Sequence, residues 1–173
     1  MNKAVLILKN KKGDTLVLSV LIITIAILFT VLIVDFGMAF YTKTHTQSIA
    51  DAMAIGGASY GNEAYQTLST QKKVAIVNEK KAKPKAQEIL NANKKYLPVG
   101  VEVITAEMNP TGKKIDGKVM DWQDQYYSGN FTVRLTSRYN TMFLGANKNN
   151  TFFGISLPEI RFQNEARVKV SPK

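Results

Sequence analysis

Apolar and polar positions fall into three regimes along the chain: one unbroken apolar run near the start, a middle part with helix-like spacing, and a last part that alternates. The run from Thr15 to Val34, TLVLSVLIITIAILFTVLIV, carries no charged residue. About 20 such residues in a helix, rising 1.5 Å each, match a hydrocarbon core of about 30 Å. Lipid offers no water to backbone N–H and C=O groups, so the segment must close its own hydrogen bonds as a helix. The rest of the sequence has no second run of this kind. The pattern predicts a leader over 1–14 and a single transmembrane helix over 15–34.

From Asp35 to Ala58 the sequence contains no proline, so the helix is expected to continue beyond the span and to end at Gly56-Gly57. Ala50, Ala54 and Ala58 fall four apart and form one ridge of small residues on that helix. Such a ridge lets another backbone approach closely, either a partner helix or the chain's own outer domain. Residues 59–68 read as a linker. A second helical stretch is expected over 69–96, with Val74, Val77, Ala86, Ile89, Leu90 and Leu97 turned inward and a break near Lys83 imposed by Pro84. Beyond Leu97 the period falls to two. Val99 to Thr105 alternates, Asn109-Pro110-Thr111-Gly112 signals a turn, and Asn130 to Tyr139 sets Phe131, Val133 and Leu135 on one face against Thr132, Arg134 and Thr136 on the other. Ile160 to Val170 alternates again and is long enough to pair with Phe131–Tyr139. Met142 to Leu157 reads as a short apolar excursion plus a loop. The predicted fold class is α+β: a long N-terminal transmembrane helix, its continuation over 35–58, and an extracytoplasmic domain over 59–173 with a helical segment and a small antiparallel sheet.

Charge gives the span a direction. Lys3, Lys9, Lys11 and Lys12 precede it, whereas Asp35 and then Lys43 follow. Lysines in a short flank resist translocation, and long downstream domains cross largely regardless of charge. The N-terminus is therefore expected in the cytoplasm and the domain outside the cell membrane. The apolar run is longer than the h-region of a cleaved secretory signal, and Asp35 to Phe40 makes a poor cleavage site. A cut before the span, at Gly13-Asp14, is a separate alternative. Of the 173 residues, about 135 remain for the outer domain, enough for one modest core. The chain has no cysteine, which removes disulfides, thiolate catalysis and Cys-metal sites together. A formal net charge of +10 favours anionic surfaces, membrane lipid or a cell-wall polymer among them. The densest basic run, Lys80 to Lys85, has no interleaved aromatic, so nucleic acid is not an expected partner.

Little here points to catalysis. His45, the one histidine, stands among threonines with no helix-spaced partner for a triad or a metal and reads as an exposed helix residue. Asp116, Asp121 and Asp124 lack the order of a calcium loop and read as a solvated turn. No catalytic, cofactor or metal site is expected, and the chain is not expected to be an enzyme. Asp35 either marks the boundary with water or pairs with a cation on a neighbouring subunit, since an unpaired acid at that depth is costly.

Lys11-Lys12-Gly13, the apolar span, Asp35-Phe36-Gly37, Gln47-Ser48-Ile49-Ala50-Asp51-Ala52 and Gly56-Gly57-Ala58 follow one another in a set order. In this order the chain resembles the TadE/TadG-like proteins of Tad (Flp) pilus systems over about residues 10–60. The resemblance implies a minor pilin or pilus-assembly component in the cytoplasmic membrane. Its partners would be other pilin-like subunits and inner-membrane assembly proteins. Asp35, Gly37, Gln47, Ala50, Asp51, Ala54 and Ala58 are the positions it marks for helix packing and assembly. Where pilin-type leaders carry glutamate five residues after the cleaved glycine, this chain has Leu18, which favours an uncleaved, TadG-like protein. The alternatives are a membrane-anchored adhesion or wall-polyanion binding protein unrelated to pili, and a tethered enzyme.

Overall fold

The computed structural model describes residues 11–66, 73–115, 126–141, 151–152, 155–156 and 160–170. A single helix, α1 (Lys11–Gly61), runs without interruption through the apolar run and its continuation. It is followed by β1 (Asn62–Gln66), β2 (Lys73–Asn78), α2 (Glu79–Lys94), β3 (Val101–Ile115), β4 (Tyr126–Tyr139), the short pair β5 (Thr151–Phe152) and β6 (Ile155–Ser156), and β7 (Ile160–Lys169). The class is α+β, as the pattern predicts.

The sheet is antiparallel and centred on β4. β3 covers one edge of β4 along its whole length; the other edge is shared by β2, at Tyr126–Ser128, and β7, at Asn130–Tyr139. β1 extends the sheet beyond β2. The pairing of the terminal segment with Phe131–Tyr139 was legible from its alternation and its length. Phe131, Val133 and Leu135 are buried on one face as predicted, joined there by Ser137 and Tyr139. On that face α1 and α2 lie side by side. The core is made by Ile49, Ala50, Met53, Ala54 and Ala58 of α1, Ala82, Ala86 and Leu90 of α2, and the inward residues of β4.

The opposite face is polar, with cross-strand charge in register. Glu107, Arg134 and Glu165 stand abreast on β3, β4 and β7, with Arg134 Nη1 3.5 Å from Glu107 and Nη2 3.0 Å from Glu165. The hydrogen bond and charge of Glu165, then Glu107, hold the Arg134 guanidinium above its ordinary pKa. This contribution is present below the free guanidinium pKa and is lost only in strong alkali. At an exposed site it is small.

Four expectations are corrected. α1 does not stop at Gly56-Gly57 but runs to Gly61, and the linker expected over 59–68 contains β1. Residues 73–78 form β2 rather than the start of a helix, so Val77 is buried from a strand. Pro84 does not break α2. The helix is capped by Asn78, whose side chain accepts from Lys80 N at 3.1 Å, and its inward row Ala82, Ala86 and Leu90 is fully packed. That packing offsets the penalty proline carries in a helix interior. Finally, Asn109 to Gly112 does not turn: it lies inside β3, Pro110 opposite Phe131 and Gly112 opposite Gly129. β3 is an edge strand, where a residue without an N–H is tolerated.

Candidate assembly helix

α1 has two halves with different surroundings. From Gly13 to Val34 no window of the apolar run is covered by the rest of the protein. Its hydroxyls are satisfied within the helix, as an apolar surrounding demands: Ser19, Thr24 and Thr30 donate to the carbonyls of Thr15, Val20 and Ala26 at 2.8, 2.9 and 2.9 Å. Cover begins at Asp35. From there Asp35, Ala39, Thr42, Thr46, Ile49, Ala50, Met53, Ala54 and Ala58 follow a three- and four-residue spacing and form one buried stripe.

The residues marked from the sequence separate along this geometry. Asp35 is 2% exposed, covered by the chain itself rather than standing at the boundary with water. Of the two readings of the Ala50, Ala54 and Ala58 ridge, the intramolecular one describes its surroundings: all three alanines pack in the core. The glycines that follow belong to the same close approach. A Cβ built on Gly57 would run into the ring of Phe131, one on Gly56 into the tip of Ile89, and one on Gly61 would lie 2.8 Å from Ala82 Cβ. Gln47 and Asp51 sit on the rim. Gln47 Nε2 donates to Asp51 Oδ1 at 2.9 Å and to the Glu165 carbonyl at 3.2 Å, tying α1 to β7. Gly37 is exposed, with nothing within 4 Å of where a Cβ would stand. Gly13 and Asp14 lie in the first turn of α1.

Two features were not singled out from the sequence. One is a buried polar seam, where Asn164 of β7 donates to Thr46 Oγ1 at 2.5 Å while that hydroxyl donates to the Thr42 carbonyl at 2.8 Å. The other is an exposed stripe of Phe29, Ile33, Phe36 and Phe40 on the uncovered side of α1. Its four- and three-residue spacing was readable, but the span's all-round apolarity hid it. His45 is half-buried rather than exposed. Its ring stacks on Tyr41, with centroids 5.9 Å apart, and its Nε2 is buried without a hydrogen-bond partner. Asp116, Asp121 and Asp124 lie outside the described residues.

One bare apolar helix among the described residues, rooted in a small α+β domain, marks a membrane-anchored protein. Residues 13–59 match the model of the Tad family, described as "Putative Flp pilus-assembly TadE/G-like". This N-terminal segment is thus similar to the TadE/TadG-like proteins, as the order of its small and acidic residues implied. The match covers nearly all of α1 and stops before β1. No curated protein and no solved structure matches the chain.

Proposed function

We propose that the chain is a non-enzymatic minor pilin or pilus-assembly component of a Tad/Flp-type apparatus. It is held in the cell membrane with its N-terminus cytoplasmic and its domain outside, and its leader is uncleaved. The observation that carries this reading is the coincidence of the family match over 13–59 with an apolar span none of whose described residues is buried. In lipid, bare apolar helices associate through packing and small-residue contacts rather than through hydrophobic burial. The flank left for partner helices is Gly37 with Phe29, Ile33, Phe36 and Phe40, because the Asp35–Ala58 stripe is already occupied by the domain. Lys3, Lys9, Lys11 and Lys12 support the orientation.

The absence of cysteine makes the test direct. Single substitutions Ile33→Cys, Phe36→Cys and Ala50→Cys are cross-linked in membranes of the producing cell. The expected result is coupling to a pilin-like subunit from positions 33 and 36 and none from position 50. No coupling from any position, together with unchanged surface fibres when the gene is deleted, would overturn the proposal.

A further inference from the structure

α1 and β7 run side by side, which fixes the height of each part of the domain above the apolar span. Thr46 meets Asn164, and Gly57 faces Phe131, whose neighbour on β7 is Val168. Ile160 lies four residues before Asn164, a drop of about 13 Å at strand rise, or about nine residues of helix. The start of β7 is therefore level with Gly37, just past the end of the apolar run. Tyr139 pairs with Ile160 and Val101 with Tyr139, so this whole edge of the sheet shares that height.

The loop from Lys95 to Gly100 is fastened to the same edge, with Asn140 N donating to the Gly100 carbonyl at 2.9 Å. α2 delivers it there. α2 runs antiparallel to α1, with Ala82 beside Gly57 and Gly61, and its C-terminus points towards the span. The loop carries two large side chains turned away from the core: Tyr96 is 62% exposed and Val99 76%. Lys94 and Lys95 stand immediately before them, Lys95 Nζ lying 4.8 Å from the centre of the Tyr96 ring. Below Lys94 and Tyr96, towards the span, α1 exposes Phe36, Phe40 and Tyr41, two turns of apolar surface beyond Asp35, with Lys43 just above. Arg161 is exposed nearby, and among the described residues the exposed acid at this end, Glu102, is paired with Arg138.

Exposed aromatic rings next to the span, with lysines beside and above them, form the pattern of a membrane–water interface. We propose that the lower end of the domain rests on the bilayer that holds the span, with Tyr96 and Val99 in the headgroup layer and Lys94 and Lys95 on anionic lipid phosphates. The basic excess at this end and its continuity with the span select a lipid surface as the occupant. The proposal rests on the membrane anchor and not on the pilus reading.

Depth-dependent quenching tests it on the full chain in vesicles of phosphatidylcholine and phosphatidylglycerol containing nitroxide-labelled lipid. A fluorophore is placed at Val99→Cys, with Leu28→Cys as the deep reference and Ser59→Cys as the remote one. The expected result is at least twofold stronger quenching by headgroup-level nitroxide at position 99 than at 59. Charge reversal of Lys94 and Lys95 to glutamate should reduce it. Equal quenching at 99 and 59, with position 28 deeply quenched, would overturn the proposal while leaving the anchor intact. Position 28 unquenched would overturn the anchor as well. Quenching at 99 that is insensitive to charge reversal would overturn the lipid-phosphate contact.

Discussion

Gly57 has no side chain because the ring of Phe131 occupies the space a methyl group would need, with the Ala82 carbonyl 3.1 Å away on the other side. Gly57→Ala is expected to destabilise the protein by about 1–3 kcal/mol through overpacking, read as a lowered urea midpoint in detergent. Gly56→Ala is the instructive contrast. Its obstacle is the flexible tip of Ile89, and a helix gains about 1 kcal/mol from alanine over glycine, so the midpoint should move far less. The Thr46–Asn164 seam is a second residue-scale dependence. Asn164→Ala removes a donor to a fully buried hydroxyl, and the same unfolding measurement should show a loss of about 1–3 kcal/mol. None of these roles could be read from composition: Gly56-Gly57 has the look of a helix stop, and only the proximity of β4 and α2 reveals it as a contact.

At the scale of elements, α2 holds a proline where helices rarely accept one. Pro84 is the sixth residue of the helix, beyond the first turn where it would cost nothing. Pro84→Ala is therefore expected to raise stability, by up to about 3 kcal/mol, with helical circular dichroism unchanged or higher. The strands show what local pattern can and cannot carry. β4 and β7 were legible because each buries one face over ten residues of pairing, Asn130–Tyr139 against Ile160–Lys169. β2 was not, because Val74 and Val77 are three apart, as on a helix, and lysine-rich sequence follows directly. β3 was only half legible. A register shift between Val103 and Thr105 moves the inward set from Val101 and Val103 to Ala106 and Met108, so a strict alternation fails midway.

At the scale of the molecule, the C-terminal half of α1 is part of the domain core rather than a stalk beneath it. A fragment of residues 36–173 should fold, because it keeps Ile49, Ala50, Met53, Ala54 and Ala58. A fragment of residues 60–173 lacks that helix and should be unfolded or aggregated. Amide exchange or near-ultraviolet circular dichroism of the two fragments checks this directly. The domain boundary drawn from the sequence at residue 59 thus divides one core in two, because a helix long enough to cross a membrane and continue gives no sign of where its role changes. The surroundings of the residues marked on α1 were legible in part for the same reason. The family-like residues from Asp35 to Ala58 were recognisable, whereas the side of the helix left open depends on where the sheet docks.

An uninterrupted helix shared by lipid and core has a mechanical consequence. At 1.5 Å per residue its 51 residues form a rod of about 76 Å, with no loop between the part in the bilayer and the part that builds the head. The head cannot swivel on its anchor. A pull on the domain would arrive in the membrane as a change of tilt, and a turn of the buried rod would sweep the head with it. The protein is built as a lever.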